Sequence, residues 1–227
     1  MSNPLGKIEK PNSELFSQKK KLFIIPLLFS SDKAPQEFKD MFVRYWQDAA
    51  EQLNKIEKSL GNPKYIFHEA ISDNSHHSLT TLQRLNSGSY PIIQKEMEKG
   101  AQLSVLENHE LVLAATDWER FMMIGIASEE VARIASENYV QTTDRRYAAM
   151  SENISKTLQE AEIALLFLRE YQYLKLTTDI EIFNIAPPVL NDINKWLRDR
   201  AYAAQQESSE PIEEKSDSTE TPYEPTE

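Results

Sequence analysis

The chain has 227 residues, a hydrophobic fraction of 40% and a formal net charge of −11, which is enough for one large domain or two small ones. It contains no cysteine, which excludes disulfides, thiolate nucleophiles and thiolate metal sites. The longest apolar run, Leu22 to Phe29, is far shorter than the roughly 20 residues of a membrane span, so no membrane partner is expected.

The acidic charge is concentrated near the C-terminal end of the chain. Between Glu207 and Glu227 eight acids face only Lys215, a net charge of −7 that leaves −4 for the remaining residues. Binding to nucleic acid requires a basic surface, so the charge argues against a nucleic-acid partner. The N-terminal residues lack the apolar core of a signal peptide, and we expect a cytoplasmic protein.

The first part of the chain alternates between apolar runs and helical patterns. Residues 1–18 are polar and predict a flexible arm. The run from Leu22 to Phe29 is typical of a strand that ends, bulges or lies at a sheet edge near Pro26, because proline cannot donate a ladder hydrogen bond. Apolar residues then recur every three or four positions from Phe38 to Leu60, which predicts an amphipathic helix. A short strand ending at Glu69 follows.

Two short helical segments separate this strand from the next one. The next strand ends at Glu107, so the order up to this point is β-α-β-α-α-β, which is typical of a parallel sheet. Residues 109–162 then show helical periodicity in at least two segments. We therefore predict a helical insertion before the following strand.

The last third of the chain predicts two more strands and a final helix. Residues 163–170 form an apolar run, and residues 178–185 alternate apolar and polar side chains, as in a strand with one buried face. The helix carrying Trp196 follows, and residues 206–227 are rich in Ser, Glu and Pro, which predicts a disordered acidic tail. The fold expected for residues 19–205 is a single α/β domain with a mostly parallel central sheet of four or five strands.

Three predicted strands end in a glutamate, namely Glu69, Glu107 and Glu170. Ligands of parallel α/β sheets bind outside the carboxyl ends of the strands, so neighbouring strands would bring these carboxylates to one crevice. Paired carboxylates can bind a divalent metal or divide acid and base roles between them. Glu69 and Glu107 are the best pair for such a site.

The histidines lie in the same part of the chain, at positions His68, His76, His77 and His109. Imidazole together with carboxylate suits Zn²⁺ or Mn²⁺, which suggests a metal site formed by Glu69, Glu107 and His109. The alternative is that these loop histidines and strand-end acids are solvated. Adjacent strand residues face opposite sides, so at most one of His68 and Glu69 can point into the site.

Two arginines, Arg145 and Arg146, lie in the helical insertion before the third of these strands. An arginine there could clamp an anionic substrate or pair with a buried acid. A surface salt bridge with Asp144 or Glu152 is the alternative interpretation of the same pattern.

This layout resembles the TraB/ChaN group, which also includes the Tiki proteases and the erythromycin-esterase-like proteins. The resemblance covers residues of about 20–170 and rests on the sequence Ile66-Phe67-His68-Glu69, on the segment from Gly100 to Glu107, and on R-R-Y-A-A-M-S-E-N-I from Arg145 to Ile154. In that group paired glutamates, an arginine and two G-x-x-H turns contribute to a hydrolytic centre. The resemblance thus implies catalytic roles for Glu69, Glu107 and Arg146, or Arg145.

Both G-x-x-H turns of that group are replaced in this chain. The first position reads Leu28-Phe29-Ser30-Ser31 and the second reads Arg169-Glu170-Tyr171-Gln172. Without these histidines, the resemblance implies a scaffold that keeps the fold and has lost the reaction.

Three functions are compatible with these patterns. The first is a non-catalytic interaction protein that binds another protein or a second copy of itself, through an exposed apolar patch on the helix of Trp46 or of Trp196. The second is a hydrolase assisted by Mn²⁺ or Zn²⁺ at Glu69 and Glu107. The third is a translation-associated factor, because residues 161–188 weakly resemble the last domain of peptide-release factors.

Overall fold

The structure is a computed structural model that describes residues 18–73 and 78–209. Over these residues the chain forms a five-stranded sheet in which every strand pair is parallel, with helices packed against it. The predicted α/β class is therefore confirmed. Most of the predicted N-terminal arm and acidic tail, and both His76 and His77, lie outside the described residues.

The described residues contain five strands, six α-helices and one turn of 3₁₀ helix at Tyr171–Tyr173. The strands are β1 (Lys20–Pro26), β2 (Tyr65–His68), β3 (Gln102–Ser104), β4 (Ile163–Leu168) and β5 (Ile180–Asn184). The helices are α1 (Gln36–Leu60), α2 (Ser78–Leu85), α3 (Tyr90–Glu98), α4 (His109–Met123), α5 (Glu129–Thr157) and α6 (Val189–Ser209).

The strand order across the sheet is β3-β2-β4-β1-β5. The strands that lead to Glu107, Glu69 and Glu170 are thus direct neighbours, as the convergence of their carboxylates requires. Strand β2 connects to β3 at one edge of the sheet, whereas its neighbour β4 connects to β5 at the other edge. The connections of these two adjacent strands therefore diverge. Such a pair leaves a crevice at its carboxyl ends, which is where α/β proteins bind ligands.

The sheet is buried on both faces, which explains why its central strands read as continuous apolar runs. Alternate residues of β1 and β4 enter two separate clusters, because successive side chains of a strand point to opposite faces. One cluster packs beneath α1, α2, α3 and α6. The other packs beneath the second half of α5, whose contributing side chains are Tyr147, Met150 and Ile154.

Helix α1 places its aromatic side chains in the first cluster. Trp46 is only 6% exposed, so it packs in the core and does not itself contribute to an exposed apolar patch on this helix. A Cβ added at Gly88 would lie 2.1 Å from Nε1 of Trp46, so only glycine fits beside the indole. Tyr45 is also buried and donates its hydroxyl hydrogen bond to the carbonyl of Pro26, 2.5 Å away, at the end of β1.

The predicted helical insertion forms a hairpin of α4 and the first half of α5, which we call the α4–α5 hairpin (residues 109–142). Gly125, with φ of 77°, lies in the turn, and Ser128 caps α5 by accepting a hydrogen bond from the amide of Val131 at 3.4 Å. In the described part of the chain, no helix combines the length and the apolar character that crossing a membrane requires.

The C-terminal elements agree with the pattern of the sequence. Strand β5 lies at the sheet edge and alternates between buried and more exposed residues from Ile180 to Asn184, as a strand with one buried face should. Strand β1 ends at Pro26. Helix α6 runs to Ser209, and residues 210–227 of the predicted tail lie outside the described residues.

Candidate functional site

The candidate site lies at the carboxyl edge of the sheet, beyond β2, β3 and β4. Glu69 directly follows β2, whereas Glu107 lies three residues beyond the end of β3. The carbonyl of Ile71 accepts hydrogen bonds from the amides of Leu106 at 3.1 Å and of Glu107 at 3.0 Å. This contact ties the loop after β3 to the loop after β2 and brings the two glutamates to the same place.

Glu69 is held by Arg169, which directly follows the neighbouring strand β4. Oε1 of Glu69 accepts hydrogen bonds from Nε of Arg169 at 2.9 Å and from Nη2 at 2.6 Å, and Oε2 accepts one from the Arg169 amide at 3.0 Å. Burial by itself would raise the pKa of Glu69, but the hydrogen bonds and charge of Arg169 outweigh it and lower the pKa. Glu69 is therefore a carboxylate at neutral pH.

Glu107 is held by Arg146 on α5. Nε of Arg146 lies 3.1 Å from Oε1 and 3.0 Å from Oε2 of Glu107, and its Nη2 also donates to Oε1. The Glu107 side chain has no exposed surface, and burial raises its pKa to about 7 although Arg146 acts in the opposite direction. Nη2 of Arg146 is also 3.6 Å from Oε1 of Glu69, so this guanidinium connects the two carboxylates.

The four side chains of Glu69, Glu107, Arg146 and Arg169 form one connected set, which we call the carboxyl-edge network. It brings together the three residues predicted from the sequence, whereas Arg145 is exposed. Arg169 was not predicted as a partner. The register of the strands explains the contact with Arg169. His68 of β2 pairs with Phe167 of β4, so Glu69 lies beside the end of β4, where Arg169 follows.

Glu170 lies beside this network with a different partner. Its Oε2 accepts a hydrogen bond from the hydroxyl of Tyr147 at 3.1 Å. Burial and the nearby carboxylate of Glu170 raise the pKa of Tyr147, so its hydroxyl stays a donor. The ring of Tyr147 packs against that of Tyr173 with 5.4 Å between centroids.

The predicted metal site is not assembled. His68 points to the opposite face of the sheet, where its Nδ1 accepts from the Ala70 amide at 3.0 Å and its Nε2 lies 3.2 Å from Oγ of Ser89. Burial lowers the pKa of His68 to about 4. Nδ1 of His109 lies 3.4 Å from Oγ of Ser72. Within residues 18–73 and 78–209, no three His, Asp or Glu side chains are placed to hold a metal ion.

The geometry restricts what the two glutamates can do chemically. A nucleophile, a general base or a metal ligand needs an oxygen lone pair that a substrate or ion can reach. The Glu107 carboxylate is inaccessible, and the Glu69 carboxylate accepts three hydrogen bonds while its side chain is only 8% exposed. The network therefore acts first as a connection between α5, β2 and β4.

The fold and the site define a parallel α/β domain with helices on both faces and an ion-pair network at the carboxyl edge. No protein-family model, curated protein or solved structure matches this chain. The resemblance to the TraB/ChaN group thus stays a prediction. The two segments that replace its G-x-x-H turns follow β1 and β4, which are adjacent strands.

Proposed function

We propose that this protein is a non-catalytic interaction protein that binds its partner through the α4–α5 hairpin. The observation that carries the proposal is the concentration of exposed apolar side chains there. Half of the large exposed apolar side chains in the described residues belong to the hairpin, and their exposure ranges from 38% to 74%. They are Leu113, Phe121, Met123, Ile124, Val131, Ile134 and Val140.

The hairpin cannot bury these side chains by itself. Between residues 109 and 142 only Ala115, Ala135 and Thr142 are buried, and all three are small. Small residues let two helices approach closely, but a pair of helices has a single seam and leaves its other faces in water. A surface of this kind on a folded domain typically marks an interaction site.

The charge around this surface indicates the kind of partner. The hairpin contains six acids against Arg120 and Arg133, a net charge of −4. Both arginines already form ion pairs within it, with Asp117 at 3.7 Å and Glu137 at 2.7 Å. The occupant that fits is an amphipathic helix with an apolar face and a basic rim, whereas a second copy of the chain would oppose like charges.

The carboxyl-edge network supports this function by fixing the hairpin. Arg146 lies in α5 just beyond the hairpin, and Asn153, two turns further, donates a hydrogen bond from Nδ2 to the carbonyl of Leu106 at 3.0 Å. The base of the hairpin is therefore attached to the loops after β2 and β3. A surface held in place before binding loses less entropy when the partner docks.

Calorimetric titration with synthetic helices tests the proposal. The probe is a Leu/Lys amphipathic helix of about five turns, and a Leu/Glu helix of the same length is its counterpart. We expect saturable binding of the Leu/Lys helix only, and weaker binding as salt is raised. The double variant Phe121→Ser/Ile124→Ser should weaken binding at least about tenfold, because it removes two apolar anchors.

Val43→Ser is the matched control, since Val43 is 54% exposed but lies on α1. It should leave the affinity unchanged. Equal binding of both peptides, or full binding by the hairpin double variant, would overturn the proposal. A concentration-dependent dimer that the double variant dissociates would instead identify the partner as a second copy.

A hydrolase is the second candidate, and one observation favours it. Glu69 and Glu107 converge on Arg146 at the carboxyl edge of the sheet, which is the usual place for a ligand of a parallel α/β fold. Titration with Mn²⁺ and Zn²⁺ tests this function, with Glu69→Gln as the control. Micromolar binding that disappears in the variant would favour the hydrolase. The translation-associated alternative stays a prediction.

A further inference from the structure

A groove lies at the carboxyl end of β1, on the side of the sheet covered by α1 and α6. Its volume is about 370 Å³, within the range of roughly 300–1,000 Å³ that is common for small-molecule sites. The groove is lined by Phe29, Ser30, Ser31, Ala34, Phe38, Trp196 and Leu197.

The walls of this groove are aromatic and aliphatic. Phe38 and Trp196 contact each other with 5.0 Å between ring centroids, and the Trp196 indole donates a hydrogen bond to Oε2 of Glu37 at 3.0 Å. The indole is therefore fixed in orientation. Phe29 is 41% exposed and Leu197 is 45% exposed, so both present apolar surface to a molecule in the groove.

Two guanidinium groups stack on rings that line the groove. Cζ of Arg169 lies 5.5 Å from the centroid of the Phe29 ring, and Cζ of Arg200 lies 4.9 Å from that of Trp196. Arg169 is already paired with Glu69, and the carboxylate of Glu37 is engaged by the indole of Trp196. Arg200 is therefore the cation with which an incoming anion would pair.

The position of the groove agrees with the topology of the sheet. It begins at the turn after β1, a central strand that lies between β4 and β5. The groove therefore lies at the carboxyl edge of a parallel sheet, which is the edge where α/β proteins usually bind ligands.

We propose that this groove binds a small amphipathic carboxylate. Its apolar body would lie against Phe38, Trp196 and Leu197, and its carboxylate would face Arg200 and the hydroxyl groups of Ser30 and Ser31. An aliphatic or aromatic body fits apolar walls, and a guanidinium is the best side-chain partner for a carboxylate. The site is separate from the α4–α5 hairpin and does not depend on the function proposed for it.

Nuclear magnetic resonance of the three tryptophan indole N–H groups tests this proposal on the full chain. The probe is octanoate, with octanol and octylammonium as matched compounds, and Trp196→Phe assigns the resonance. We expect octanoate to shift the Trp196 signal saturably and more strongly than the other two. Arg200→Gln should weaken octanoate binding about threefold to fivefold, as expected for an exposed charge pair.

Leu197→Asp should abolish the octanoate response without unfolding the protein, because Leu197 is partly exposed and the new carboxylate would repel the ligand. Tyr202→Ala, at a more exposed position of α6, is the control that should bind normally. The proposal is overturned if octanol binds as well as octanoate or if Leu197→Asp binds normally. A response that appears only after residues 1–17 are removed would also overturn it, because the groove would then hold the chain's own N-terminal segment.

Discussion

Two groups of charged side chains contain buried carboxyl groups, one at the carboxyl ends of the strands and one near their amino ends. They differ in the number of cations that accompany the two glutamates. The carboxyl-edge network joins two glutamates to two arginines. The second group, which we call the α1–α3 cluster, joins Glu57 and Glu96 to Lys99 alone. Nζ of Lys99 lies 2.6 Å from Oε2 of Glu57 and 2.8 Å from Oε1 of Glu96. The other oxygen of each glutamate is buried without a hydrogen-bond partner.

The difference shows what a buried carboxylate needs in order to stay ionised. Glu69 has the fork of Arg169 and the nearby charge of Arg146, and its pKa is lowered. Glu96 shares one lysine with Glu57, and burial together with the neighbouring carboxyl group of Glu57 raises its pKa to about 7. Glu107, although Arg146 forks it, also has its pKa raised to about 7, so what keeps Glu69 ionised is two arginines and a backbone amide together. In the α1–α3 cluster a proton supplies the donor that the single lysine cannot.

The largest effect should come from removing the cation that connects the two carboxylates. Arg146→Met keeps an apolar side chain of similar length but leaves Glu107 buried without its partner. We expect the free energy of unfolding at pH 8 to fall by about 3–5 kcal/mol, as is typical when one partner of a buried ion pair is removed. Urea unfolding followed by circular dichroism measures this loss.

Two further variants make this result specific. The double variant Glu107→Gln/Arg146→Met should recover much of the loss, because it removes the buried charge together with its partner. Arg145→Met, one residue earlier and exposed, should stay within about 0.5 kcal/mol of the original protein. A double variant that is no more stable than Arg146→Met would show that the arginine stabilises the fold by packing rather than by pairing.

The strands and helices were accessible from the sequence because burial leaves a periodic pattern. The apolar runs of β1 and β4 require a sheet covered on both faces, and the spacing from Phe38 to Leu60 matches α1 to its last residue. The convergence of Glu69 and Glu107 followed from one further rule, that parallel strands end at the same edge. Strand order places the loops after β2 and β3 side by side, and the hydrogen bonds to the Ile71 carbonyl then bring the two carboxylates together.

The partners of the buried acids were not accessible in the same way. Arg169 reaches Glu69 across 100 residues of sequence, and that contact depends on the register between β2 and β4. Glu57 and Glu96 lie on different helices, each four residues after a buried apolar residue, Leu53 and Ile92 respectively. Periodicity therefore places both acids on a buried face, but it does not reveal that the two helices bring them to the same lysine.

The second prediction concerns the proton in the α1–α3 cluster. The pKa of Glu96 is about 7 in the folded protein against a usual value of 4.5. Between these values the folded protein binds a proton that the unfolded chain does not, so stability falls as pH rises through this window. Glu96→Gln cannot titrate. Relative to the original protein, its free energy of unfolding should increase by about 2 kcal/mol from pH 5 to pH 8.

Urea unfolding at four pH values from 5 to 8 measures this change. Glu98→Gln, which removes an exposed carboxylate from the same helix, is the control that the effect of Glu96→Gln must exceed. The free energy of unfolding of Glu96→Gln should depend less steeply on pH than that of the original protein. Some dependence should remain, since Glu107 titrates in the same window. If the free energies of unfolding of the variant and the original protein changed with pH in parallel, Glu96 would not hold a proton in the folded protein.

The smallest effect should come from Arg169→Lys, which keeps the charge beside Glu69 and removes the fork. The Arg169 side chain is 56% exposed, and its backbone amide donates to Glu69 whichever side chain is present. We expect a loss of about 0.5–1 kcal/mol at pH 7, and a smaller loss at high salt. The same unfolding measurements with and without added salt are sufficient to detect it.

The size of this loss also shows how the pairing energy of the carboxyl-edge network is shared between Arg146 and Arg169. A loss of about 1 kcal/mol would mean that Arg146, which lies between both carboxylates, carries most of the pairing energy and that Arg169 mainly fixes the orientation of Glu69. A loss as large as that of Arg146→Met would mean that the four groups act as one unit. In that case the contrast with the α1–α3 cluster would rest on the fork geometry of arginine as much as on the number of cations.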